Sequence, residues 1–183
     1  MSIHKIGRPA LVALFETGPL GPTSEAFSGM MPETFDEIIA SVKRVASKGV
    51  ASAKHKVSEL PRELPRAGVY LLSEDGVYLY VGRTNNIRRR LQYHTRNNHN
   101  QATFAFLLAR HKTGRLEASY QATGSRADLL RDPGFKDAFD AARAQIRTMD
   151  VQVVEECDPV KQALLEIYLA HVTHAKYNDF DTH

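Results

Sequence analysis

Apolar residues first fall into a regular pattern at Phe35, Ile38, Ile39, Val42 and Val45, every three or four positions behind Pro32 and Thr34. That spacing predicts an amphipathic helix over about 32–47. Upstream, Pro9, Gly18, Pro19, Gly21, Pro22, Gly29 and Pro32 interrupt any long regular element, so this part is expected to be an arm. Beyond Pro61 and Pro65 the period drops towards two. The stretch GVYLLSEDGVYLYVG places two β-rich runs, 68–73 and 77–82, on either side of Glu74-Asp75-Gly76. Asp-Gly is a strong turn signal, so the pair reads as a β-hairpin, with Tyr78 and Tyr80 expected on one face of its second strand.

Helical spacing then returns. Thr84 or Asn85 is expected to cap a helix to about Arg96, on which Ile87, Arg90, Leu91 and His94 share a face. Asn100 is expected to cap another through Phe104, Leu107 and Leu108, closed by Gly114. Phe135, Ala138, Phe139, Ala142, Ile146 and Met149 mark a longer amphipathic helix, and DVQVVEE a strand. Asp158-Pro159 pairs a cap residue with proline at the first helical position, and that helix should run to about Thr173 with a stripe of Leu164, Ile167, Tyr168 and His171. The sum is an α+β fold. It has a small antiparallel or mixed three-stranded sheet flanked by helices, a main domain over 65–183, an N-terminal arm and helix over 1–64, and a helical insertion at about 95–149.

A hydrophobic content of 43% and a charged content of 25% are those of a globular protein. The net charge of +3 is mild, but its distribution is not. Between Gly76 and Leu116 there is no acid, against eight arginines and lysines; between Asp128 and Asp158 there are eight acids against four bases. A basic lobe beside an acidic one suits a chain that lays a polyanion across one face. Cys157 is the only cysteine, so no internal disulfide can form and a reducing, cytoplasmic setting is expected. No apolar run is long enough for a membrane span, and no secretory leader is expected.

Three exceptions to ordinary patterning carry candidate chemistry. Arg90 and His94 sit on the stripe that faces the sheet, where charge is costly unless paired or used. Glu166 stands between Ala163 and Ala170, its neighbours one turn away, which leaves room for a hydrated ion. Tyr70, Tyr78 and Tyr80 crowd the hairpin, followed by Arg83, Arg88, Arg89, Arg90 and Arg96. Taken singly, each has a plainer explanation: a snorkelling arginine, a half-buried histidine, a surface glutamate, packing tyrosines.

Their order and spacing resemble the GIY-YIG nuclease family. Gly-x-Tyr corresponds to Gly68–Tyr70, and Tyr-x-Gly, ten residues on, to Tyr80–Gly82. The family's arginine, eight residues past that second glycine, falls on Arg90, and a His or Tyr one turn later falls on His94. Its metal-binding glutamate falls on Glu166, in ALLEIYLAHV, and its terminal asparagine on Asn178. Arg83 stands where many members have Lys or Ser.

The resemblance implies hydrolysis of a phosphodiester, in DNA rather than RNA, with one Mg²⁺ or Mn²⁺ held by Glu166. It casts Arg90 as the group that offsets phosphate charge. It leaves open which of Tyr70, Tyr80 and His94 takes the proton of the attacking water, with Tyr70 the first candidate. Asn178 would position backbone or phosphate, Gly68 and Gly82 would admit the substrate closely, and Arg83, Arg88, Arg89 and Arg96 would track neighbouring phosphates. Target choice would come from the arm, the insertion or a partner, and double-strand cutting from a homodimer. The alternative within the same scaffold is a module that binds nucleic acid without cutting it.

Overall fold

Every residue of strand β2, Gly68–Glu74, is buried except the last, because helices cover both faces of the sheet through which it runs. The computed structural model of the chain describes residues 33–116 and 125–180; the proline- and glycine-rich arm lies outside them. The chain divides into Met1–Thr34 and Phe35–His183, and all elements named below belong to the second unit.

The sheet is antiparallel throughout, in the order β1-β4-β2-β3, with β1 His55–Lys56, β3 Val77–Thr84 and β4 Asp150–Glu155. It therefore has four strands and not the expected three. The additional strand is a two-residue edge pairing His55 with Val151 and Lys56 with Asp150, too short to show a period of two in sequence. Among the described residues six α-helices surround the sheet: α1 Phe35–Val50, α2 Ile87–Thr95, α3 Thr103–Thr113, α4 Arg126–Leu129, α5 Pro133–Thr148 and α6 Pro159–Val172. Alternation along β2 splits the core in two. Tyr70 and Leu72 pack with Ile87, Leu91, Phe104 and Phe139 from α2, α3 and α5. Val69 and Leu71 pack with Val42 and Ala46 of α1 and Leu165 and Leu169 of α6. The predicted insertion at 95–149 thus builds one of the two cores.

One irregularity in β3 overturns the simple alternation expected of its tyrosines. Leu72 pairs with Tyr80 but Ser73 pairs with Tyr78, so Leu79 is an extra residue, a β-bulge. Leu79 and Tyr80 consequently both join the α2/α3/α5 core, while Tyr78 turns to the α1/α6 side. The far edge of β3 is covered by the C-terminal segment, where Lys176 and Tyr177 donate backbone N–H bonds of 3.2 and 2.9 Å to the carbonyls of Tyr78 and Leu79.

Helix starts lie close to the sequence signals but not always on the named residue. Asp158 caps α6 through the amides of Val160 and Lys161, as expected. Asn86, not Thr84 or Asn85, caps α2; Thr84 Oγ1 instead accepts from the Asn86 amide at 3.1 Å. α3 begins at Thr103 behind Ala102, and it is Asn98, not Asn100, whose side chain gathers the amides of the turn before it. Gly114 ends α3 in the left-handed conformation, φ 70°. The stripe expected on α6 is also displaced. Its buried residues are Gln162, Leu165, Leu169 and Ala170, while Ile167 is 50% exposed. A helix apolar on nearly all sides gives periodicity little to register, and the true register turns Glu166 towards the hairpin.

Candidate active site

Pairing of β2 with β3 sets Tyr70 directly across from Gly82, and the absent side chain is what makes the site. A Cβ at Gly82 would lie 2.5 Å from the Tyr70 hydroxyl and 3.0 Å from Cε1 of Tyr80, closer than atoms can pack. Gly68 answers a similar demand: a Cβ there would meet the carbonyl oxygen of Val154 at 1.9 Å, and its φ is +150°. Both glycines were expected to admit substrate. The structure gives the room at Gly82 to the Tyr70 phenol and the room at Gly68 to strand β4.

Tyr70 and Tyr80 face a cleft of about 340 Å³ bounded also by Gly82, Arg83, Arg90, Gln162 and Glu166. α2 supplies Arg90, β3 supplies Arg83, and α6 supplies Glu166 and Gln162. A larger cavity of about 500 Å³ between α3, α5 and the C-terminal segment contains none of these residues and no carboxylate, so size does not mark the site.

Arg90 is held from three sides. It donates to the Tyr70 hydroxyl at 3.4 Å, to the Gln101 carbonyl at 3.2 Å and to Thr103 Oγ1 at 2.7 Å. Sequence reasoning missed Gln101 and Thr103; Thr103 is the first residue of α3, a position with no signal beyond helix entry. Among the described residues Arg83 has a single anchor, Nε to Glu166 Oε2 at 3.0 Å.

Behind Tyr70 lies His94, fully buried, with Nε2 2.7 Å from the phenol oxygen. Its Nδ1 is the only buried side-chain nitrogen or oxygen among the described residues with no hydrogen-bond partner. Burial, with the Arg90 charge nearby, lowers the imidazole pKa to about 3, so the ring is neutral at working pH. A neutral ring carries one N–H. Placing it on Nδ1 would strand a buried donor, whereas placing it on Nε2 satisfies it on Tyr70 and leaves only a bare lone pair. The bonding pattern therefore assigns the Nε2–H tautomer, with His94 donating to Tyr70.

Three acids and phenols in the cleft hold their protons harder than usual. Burial pushes the Tyr70 phenol up, helped by neighbouring Tyr80 and opposed by Arg90. Burial raises Tyr80 too, with Arg90 pulling it back. Glu166, half-buried, is raised by desolvation and drawn down chiefly by Arg83.

Other expected residues lie elsewhere. Asn178 sends neither side-chain atom to the cleft: Oδ1 accepts from the Val81 amide and Nδ2 donates to the Val81 carbonyl, both at 2.8 Å. Arg88 binds the carbonyls of Pro61 and Arg62. Arg89 and Arg96 lie over the ring of Tyr93 at 5.6 and 5.2 Å. Of the five predicted phosphate-facing arginines, only Arg83 and Arg90 line the cleft.

An antiparallel sheet carrying a Gly-x-Tyr/Tyr-x-Gly hairpin, with an arginine helix behind it and a glutamate helix beside it, is the arrangement that the sequence resemblance implies. The GIY-YIG catalytic domain model matches residues 66–178, and the chain belongs to this nuclease family. No curated protein and no solved structure matches it. No helix among the described residues is long and apolar enough to cross a membrane.

Proposed function

We propose that the chain is a divalent-metal-dependent endonuclease that hydrolyses phosphodiester bonds of DNA in this cleft, with 65–183 as its catalytic part and 1–64 as an N-terminal arm and helix. One observation carries the reading. A half-buried carboxylate, two guanidiniums and two phenols converge on one cleft, and packing, which accounts for the phenol rings, does not account for the three charged groups beside them.

The donor set fits a magnesium-type ion. No group of three metal-ligating side chains occurs among the described residues, and Glu166 is the one carboxylate at the cleft. Mg²⁺ commonly keeps several waters and is held by one or two carboxylates plus substrate phosphate oxygens. Glu166 would hold the ion, which would supply positive charge to the phosphate and the leaving oxygen and favour loss of a proton nearby.

The chain's own residues account for the rest. Arg90, fixed by three bonds, presents its planar fork to the phosphate without reorganising, the arrangement in which a charged donor contributes most. Tyr70 receives hydrogen bonds from His94 and Arg90, so its oxygen is aimed and its ionised form is stabilised. Its own O–H remains to orient the attacking water. His94 has no free lone pair on the phenol side and acts as a positioning residue. Tyr80 closes the wall between Tyr70 and Phe104, on which it stacks at 4.5 Å. Asn178 locks β3 between Tyr80 and Gly82.

Plasmid nicking with Mg²⁺ or EDTA, using wild type and Glu166→Ala, tests the proposal. Cutting should require the metal and vanish in the variant while nucleic-acid binding persists. A Glu166→Ala preparation that nicks at the wild-type rate would remove the metal assignment, and a wild type that binds but never cuts would leave a binding module.

A further inference from the structure

The two arginines of the cleft are attached in different ways. Arg90 is anchored to Tyr70, Gln101 and Thr103, all neutral groups, so none of them neutralises its charge. Among the described residues, Arg83 is anchored only to Glu166, the carboxylate assigned to the metal, through Nε and Oε2 at 3.0 Å. Its side chain is 47% exposed against 24% for Glu166. The guanidinium thus lies on the solvent side of the pair, and the carboxylate is the more enclosed partner. The Arg83 backbone amide faces the same carboxylate and stays with β3 when the side chain moves.

Charge counting gives this pair a consequence. The charged residues bordering the cleft are Arg83, Arg90 and Glu166, two positive and one negative. A divalent cation entering the free cleft meets a net positive field, and its one carboxylate is already engaged. A nucleic-acid phosphate changes both conditions at once. It brings negative charge, and it offers Arg83 a partner that matches a guanidinium fork at least as well as a carboxylate does.

We infer that Arg83 is a transferable guanidinium: it pairs with Glu166 in the free protein and passes to a backbone phosphate when nucleic acid binds. Glu166 is thereby released to the metal only in the presence of the strand. This rests on the nuclease reading above and adds a binding order to it. Metal and nucleic acid bind together, each raising the affinity for the other by the same factor, as linkage requires. The free protein is correspondingly a poor metal binder, and an ion is captured where there is a phosphate for it to act on.

The test reads metal binding without turnover. Mn²⁺ titrated into full-length protein, followed by loss of the free-ion electron paramagnetic resonance signal, should bind Arg83→Met about tenfold more tightly than wild type, within the usual range of coupling between sites. Arg83→Lys, which keeps the charge, should return towards wild-type weakness, and adding Glu166→Gln to Arg83→Met should erase the gain. In nucleic-acid binding, Arg83→Met should lower the log–log salt slope by about 0.9, one phosphate contact. Circular dichroism of each variant verifies folding. Equal Mn²⁺ affinities in wild type and Arg83→Met overturn the competition of Arg83 with the metal for Glu166, and an unchanged salt slope overturns the transfer to phosphate. Nicking by wild type with Mg²⁺ is scored on the same preparations. Equal affinities in a protein that nicks discard the transfer and keep the nuclease; a tightened variant of a protein that nicks nothing keeps the Glu166–Arg83 competition and discards the nuclease.

Discussion

The oxygen of Tyr70 lies 2.7 Å from Nε2 of His94, and the other nitrogen of that ring has no hydrogen-bond partner among the described residues. The second half of this relationship decides the first, because a buried lone pair is less costly to leave unpaired than a buried N–H. His94 therefore serves Tyr70 as a donor and cannot also be the acceptor of water's proton through that nitrogen. Arg90 donates to the same oxygen. Two donors on one phenol oxygen favour its ionised form, against the burial that holds the proton on.

His94 should make the fold acid-sensitive. Its pKa falls from 6.5 to about 3 on folding, so between those values the unfolded chain binds a proton that the folded chain refuses. The stability due to the neutral ring is complete above about pH 6.5 and is lost as pH falls, by up to ~1.4 kcal/mol per pH unit. Urea midpoints of wild type and His94→Gln from pH 7 to 4.5 measure this, and the variant should show the shallower decline. Equal slopes would mean that the imidazole titrates freely. Because glutamine can still donate to Tyr70, His94→Gln should also keep more activity than His94→Ala.

Arg90→Lys should lose most of the rate despite keeping the charge. An ammonium has no planar fork, and it cannot reach the Gln101 carbonyl, Thr103 Oγ1 and Tyr70 together as the guanidinium does. A loss of about 10²–10³-fold in cleavage under single-turnover conditions is expected, the usual effect of removing one preorganised donor. A lysine variant within a factor of about three of wild type would show that charge alone is needed.

Gly82→Ala should fail through Tyr70. The added methyl would sit 2.5 Å from the phenol oxygen and 2.6 Å from its ring carbon, and Tyr70 has no space to retreat because its ring is fully buried. A cost of about 1–3 kcal/mol in stability is expected, with activity falling well beyond the folded fraction because the displaced oxygen is the one held by His94 and Arg90. Chemical denaturation and nicking on the same preparation separate the two effects. An alanine variant that stays fully active would show that the phenol position is not needed.

What was legible in the sequence follows from how locally each feature is encoded. The Asp75-Gly76 turn, the Asp158-Pro159 helix start and the Ile87/Leu91/His94 face each arise from residues within a turn or two of one another, and each is found in the structure. The Arg90–Tyr70–His94 triangle could be anticipated only through the family spacing, since no local rule joins a strand to a later helix. The bulge at Leu79 left no trace because its residues read as an unbroken β run. β1 is too short for any pattern. Gln152 shows the same limit: it lies in the middle of β4, fully buried, bonding Tyr78 and the carbonyls of Val50, the last residue of α1, and of Ser52. Its partners are 74 to 102 residues away, so a reading by period records only a polar break in an apolar strand.

Asn178 separates a structural from a catalytic role by substitution. Its amide uses both ends on Val81, accepting from the N–H and donating to the carbonyl at 2.8 Å each, in place of a neighbouring strand on that edge of β3. Asn178→Ala leaves both backbone groups without these partners and should cost about 1–3 kcal/mol in stability. Asn178→Asp keeps the size but replaces the donor with an oxygen facing a carbonyl, so it should be at least as damaging. Both variants should recover activity in proportion to the fraction folded when a stabilising osmolyte or lower denaturant restores the fold, because the side chain does not line the cleft. If either proved as stable as wild type in urea yet cut nothing, the amide would be acting on the substrate and the clamp on β3 would not be its purpose.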